Sequence, residues 1–102
     1  MEIKKNIRVG DRIRFVDFVC DMCEKDGKQY YALFDYAWRI AVITFFAPEA
    51  ELDKMDTDEM CDFIYSRQGI EIVEDPDIAV ITAGLYEACE AEMKDRKEKY
   101  IK

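Results

Sequence analysis

Histidine is absent from the 102 residues of this chain. Its absence removes the side chain that most often serves as a general base near neutral pH, and the commonest metal ligand. Glycine is scarce: Gly10, Gly27, Gly69 and Gly84 stand isolated, so no glycine-rich loop is there to cradle a phosphate. Long apolar runs are missing too. The most apolar stretch, Tyr36 to Phe46, is broken by Arg39 and falls well short of the roughly 20 residues that a bilayer core requires. The N-terminal residues carry positive charge, but no apolar run or small-residue cleavage site follows them, so no secretory signal is expected. The expected compartment is the cytoplasm, where Cys20, Cys23, Cys61 and Cys89 stay reduced.

What is present suits a folded domain. Half of the residues are hydrophobic, 13% are aromatic and 37% are charged, so there is enough apolar material to offset the entropy of ordering. The length fits one core better than two. The expectation is a single domain over residues 1–102, all-α, built as a small bundle of about four helices.

The first predicted helix runs from Asp11 to Lys25. Arg14, Asp17, Asp21 and Glu24 recur every three or four residues, with apolar side chains between them. Asp11 is its candidate cap and Gly27 its stop. An alternative stays open. Ile7, Val9, Ile13 and Phe15 share one parity, and Asp26-Gly27 is a strong hairpin turn signal, so an α+β fold with an N-terminal β-hairpin also fits. A second helix is predicted over Gln29 to Phe46. It is apolar nearly all round, as a central helix must be, with Asp35 and Arg39 pairing at i,i+4 and Pro48 closing it.

Asp56 and Glu59 have the spacing of a capping box, so a third helix is predicted from Thr57 to Arg67, ended by Gly69. Ile70 to Glu74 fits a helical turn or a strand. Asp75-Pro76 is a start signal, and the fourth predicted helix runs from Pro76 to Lys99. Glu90–Lys94, Glu92–Arg96, Asp95–Lys99 and Glu98–Lys102 are acid-before-base pairs, each contributing roughly 0.2–0.5 kcal/mol.

Charge is distributed very unevenly. Residues 47–77 hold eleven acids against Lys54 and Arg67, a net of −9, while the rest of the chain sums to +1 and the total is −8. Such a segment either solvates the surface or engages a basic partner. The candidate partner-binding residues are Glu49, Glu51, Asp53, Asp56, Asp58, Glu59 and Asp62. The natural partner is a basic protein surface, including that of a nucleic-acid-binding protein whose phosphate site these carboxylates would occupy. Direct nucleic-acid binding is disfavoured, because the field has mostly the wrong sign. Bases do collect at the two ends, Lys4 to Arg14 and Lys94 to Lys102, and would bind phosphate only if the ends converged.

Catalytic and metal chemistries find little support. Cys20-Asp-Met-Cys23 is a lone C-x-x-C, and Asp21 disfavours the thiolate a redox motif needs. Zinc would require Cys61 and Cys89 to join from far along the chain. The acids 53–59 lack the glycine that a calcium loop places after its third carboxylate. The cysteines and the aromatics Tyr30, Tyr31, Phe34, Tyr36, Trp38, Phe45 and Phe46 read as core. Gly84, amid Ala79, Ala83, Ala88 and Ala91, reads as a point where a neighbouring helix packs closely. No enzymatic activity, cofactor or metal is expected.

The run from Phe34 to Phe46, followed by Asp58 to Tyr65, resembles short acidic orphan proteins of phages and prophages. The similarity spans about a third of the chain and carries no catalytic residues. It implies a small protein that binds one host protein, including as an anti-CRISPR-like inhibitor. The alternative implied is a phage structural or assembly protein that associates with itself, and a homo-oligomer is compatible with either.

Overall fold

The computed structural model describes residues 2–100, with side chains through residue 97. Helices dominate it: α1 (Val9–Met22), α2 (Phe34–Phe46), α3 (Thr57–Ile64), α4 (Arg67–Val73) and α5 (Pro76–Tyr100). A minimal antiparallel hairpin joins α1 to α2, with β1 (Glu24–Lys25) paired to β2 (Lys28–Gln29). Three single turns of 3₁₀ helix fall at Tyr31–Leu33, Pro48–Ala50 and Leu52–Lys54.

Both readings of the N-terminal third therefore describe part of it. The helical stripe holds as far as Met22, and the turn chemistry of Asp26-Gly27 then takes over. Asp26 and Gly27 have φ of 54° and 76°, the pair of positive values that a two-residue hairpin turn demands. Asp11 is not the cap of α1. It lies inside the first turn, where its carboxylate accepts the Arg8 backbone N–H at 3.3 Å, and the Arg14 side chain donates to it as well.

The starts of α3 and α5 follow their local signals. Asp56 accepts the Glu59 N–H at 2.8 Å, and Glu59 accepts the Asp56 N–H at 3.3 Å. Asp75 accepts the N–H groups of Asp77 and Ile78 at 2.9 and 3.1 Å. The region between differs from expectation. The third helix ends at Ile64, and a separate α4 begins after Ser66, whose Oγ accepts the Gly69 N–H at 3.2 Å. Gly69 is not a terminator. A Cβ there would collide with the Phe63 carbonyl oxygen and stand 2.9 Å from the Ile64 Cα, so glycine is what lets α4 fold tightly back on α3.

One apolar cluster unites the helices. Phe15 and Val19 of α1, Ile40, Ile43 and Phe46 of α2, Ile64 of α3, Ile72 of α4 and Ile78, Leu85 and Met93 of α5 are all buried. Phe15, Trp38 and Phe45 meet edge to face, and Tyr86 covers Phe34 and Trp38 at 5.0 and 5.2 Å. Helix α2 is central, packing against α1, α3 and α4. Tyr30 and Tyr31 are exposed rather than core, because they precede α2 at the hairpin's exit.

Helices α1 and α5 run parallel. Lys5, ahead of α1, meets Asp77 in the first turn of α5 at 2.7 Å, and near the end of α1 the Cys20 thiol donates to the Cys89 carbonyl at 3.6 Å and Asp21 meets Arg96 at 2.8 Å. Glu92–Arg96 pairs at 3.1 Å, whereas Glu90 and Lys94 form no pair among the described residues. Asp95–Lys99 and Glu98–Lys102 involve side chains outside the described residues. No helix among the described residues is long and apolar enough to cross a membrane.

Candidate functional site: an acidic flank with an aromatic anchor

The candidate residues lie along one flank of α2. The chain leaves the C-terminal end of α2 through two 3₁₀ turns that carry Glu49 and Asp53, with Glu51 linking them. It then runs back along α2 as α3, so that Tyr65 arrives beside Asp35 at the opposite end. Glu49, Glu51, Asp53, Asp56, Asp58, Glu59 and Asp62 are all exposed.

Local chemistry divides these seven. Asp56 and Glu59 are occupied by the capping box of α3. Glu51, at φ 51°, pairs with Lys54 at 3.3 Å, and Glu49 accepts the Glu2 backbone N–H at 3.2 Å. Asp53, Asp58 and Asp62 have no partner among the described residues. Asp58 and Asp62 stand one turn apart on the same face of α3, a like-charge i,i+4 pair that costs a few tenths of a kcal/mol.

Tyr65 continues the same face and was not among the residues singled out from sequence. Its hydroxyl donates to Asp35 Oδ2 at 2.8 Å, and Arg39 Nε donates to the same oxygen at 3.0 Å. The Arg39 guanidinium lies 4.9 Å from the centre of the Tyr65 ring, within cation–π range. The hydrogen bond to Asp35 holds the Tyr65 hydroxyl above its ordinary pKa. The expected Asp35–Arg39 pair is therefore present, and it braces a half-exposed tyrosine. The spacing of Asp58, Asp62 and Tyr65 on one helical face was the available signal.

Three of the four thiols lie away from this flank, and Cys61 lies on α3 within it. Cys20, Cys23 and Cys89 are fully buried and Cys61 is partly so. Burial pushes Cys20 and Cys89 up to about 12 and Cys23 up to about 11. No three or more Cys, Asp or Glu side chains among the described residues converge to hold a metal ion. The flank accepts hydrogen bonds from cations; its tyrosine and arginine are of the kinds that dominate protein interfaces.

Comparison of the chain with protein-family models, curated proteins and solved structures finds no match.

Proposed function

We propose that this chain is a protein-binding module whose acidic flank, residues 49–62 with Tyr65 at its end, engages a basic surface on another protein. The observation that carries the reading is the open state of Asp53, Asp58 and Asp62: three exposed carboxylates without counter-ions. Fixed uncompensated charge of one sign steers association with a complementary surface. The partner class that fits best is a nucleic-acid-binding protein, whose phosphate site the carboxylates would fill. On this reading the chain acts as an inhibitor, in keeping with its resemblance to mobile-element proteins that block host defences.

Immobilised chain incubated with bacterial lysate tests the reading. Basic proteins should be retained at low salt and released by high salt and by duplex DNA. The variant Asp53→Lys/Asp58→Lys/Asp62→Lys should retain none of them. Retention unchanged by the variant contradicts the proposal. The second reading, a self-associating assembly protein, draws on a different surface, where Val9, Ile13 and Val80 stand exposed.

A further inference from the structure

Gly84 sits in the middle of α5, and beyond the adjoining backbone of α5 itself nothing among the described residues comes within 4 Å of where a Cβ would stand. The neighbouring helix that its small-residue setting predicts does not come from within the molecule. Gly84, Ala88 and Ala91 instead floor a shallow groove of about 760 Å³ between α1 and α5, with Ile13 and Val16 along its other wall.

The groove has two unlike ends. At the N-terminal end of the helix pair, aliphatic side chains project into solvent: Val9 is 76% exposed, Ile13 62% and Val80 78%. Toward the C-terminal end the apolar part of the lining is the small side chains of Ala88 and Ala91. Charge divides the same way. Arg12 lines the end with the projecting side chains and meets no carboxylate among the described residues. Asp17, Glu92 and Asp95 line the other. There Asp17, Asp21 and Glu92 share one guanidinium, Arg96, so these three carboxylates outnumber the cation that joins them.

We infer that a second copy of this chain occupies the groove, with the two α1/α5 pairs antiparallel across a twofold axis. Because α1 and α5 are parallel, that axis sets the aliphatic end of each copy on the small-residue end of the other, and does so twice. The same rotation brings each Arg12 over the partner copy's acidic end. A parallel arrangement sets Arg12 against Arg12 and bulk against bulk. A foreign helix of uniform charge matches one end of the groove, whereas a second copy matches both.

The size of the surface sets the strength. From Val80 to Asp95 this face of α5 runs about 22 Å, and the helix pair is about 20 Å wide. Two copies therefore bury about 900 Å² together, near the ~1,000 Å² at which specific association begins. The dimer is accordingly reversible and concentration-dependent. None of residues 49–62 lines the groove, so this inference does not rest on the proposed acidic interface and either can fail alone.

Sedimentation equilibrium of the full chain from micromolar to millimolar concentration tests the inference. The mass should climb from 12.0 kDa toward twice that value. Val80→Glu and Ile13→Glu should each weaken the dimer by on the order of tenfold. Both positions are exposed, so an unchanged thermal midpoint shows that folding is intact. Arg12→Glu should weaken the dimer, and adding Asp95→Arg in the same chain should strengthen it again. A chain that stays monomeric throughout overturns the inference and leaves the groove to a foreign helix. A dimer indifferent to Val80→Glu and Arg12→Glu overturns it as well, because the copies then meet elsewhere. Failure of the double charge swap to recover association rules out the antiparallel twofold.

Discussion

The Cys20 thiol donates to the Cys89 backbone carbonyl at 3.6 Å across the seam of α1 and α5, with both side chains fully buried. Cys23 is buried beside them. These thiols work as small apolar packing groups with one weak hydrogen bond.

Slow thiol chemistry should follow. In native protein a disulfide reagent should modify Cys61 first, because it alone is partly exposed. The other three should react only as fast as the chain opens. Fast modification of all four thiols without loss of helical signal contradicts this packing.

The same burial makes stability fall in alkali. Burial raises the folded-state pKa values to about 11 for Cys23 and about 12 for Cys20 and Cys89, above the ordinary 9.0. Below pH 9 both states are neutral at these positions and the full contribution is present. As pH rises from 9 through 11–12, the unfolded state releases protons first and stability drops. Urea midpoints across that range should decline, and the variant Cys23→Ala should decline less steeply, whatever its midpoint at neutral pH.

Gly69→Ala should be costly for its size. The added methyl meets the Phe63 carbonyl and the Ile64 backbone, so α3 and α4 must separate. Overpacking of that kind costs typically 1–3 kcal/mol, against a gain of up to ~1 kcal/mol from alanine's helix propensity. Thermal unfolding should show a lower midpoint. A higher one means that Gly69 is only a weak helix former and not a point of close approach.

Arg96 joins α5 to α1 through Asp17 and Asp21 while also pairing with Glu92. Burial opposes its charge, but the hydrogen bonds that it donates to Asp21 and Glu92 outweigh that and raise its pKa. Arg96→Ala should cost about 1–3 kcal/mol, since it strips a charge-assisted cluster of the cation that Asp17, Asp21 and Glu92 share among the described residues. Denaturant unfolding checks the loss, and a change below a few tenths of a kcal/mol contradicts the clamp.

Elements set by local chemistry were legible in the sequence. The caps at Asp56 and Asp75, the closure of α2 before Pro48 and the Asp26-Gly27 turn all depend on residues within four positions of one another. Gly69 misled because a glycine after an apolar run reads as a stop, whereas its role is set by Phe63 and Ile64 in a neighbouring helix. Ser66 carried the cap signal for α4 in plain view. At the candidate site the exposure of the carboxylates followed from their charge. The link from Tyr65 to Asp35 spans thirty residues and needed α3 to be placed against α2. The open face of Gly84 was equally invisible, since only the packed molecule shows that no helix of its own covers it.

The central claim is that the acidic flank binds, and the most direct measurement compares the affinity of the wild-type chain and the Asp53→Lys/Asp58→Lys/Asp62→Lys variant for one captured basic partner. Folding should be nearly unaffected. Exposed charges contribute little individually, and only Asp58, in the first turn of α3, opposes the helix dipole on reversal, by about 1 kcal/mol at most. The account predicts association slowed by at least about tenfold, with a flattened salt dependence, because the reversed charges repel where they had steered. Unchanged association and an unchanged salt slope contradict it and reduce the flank to a solubilising surface.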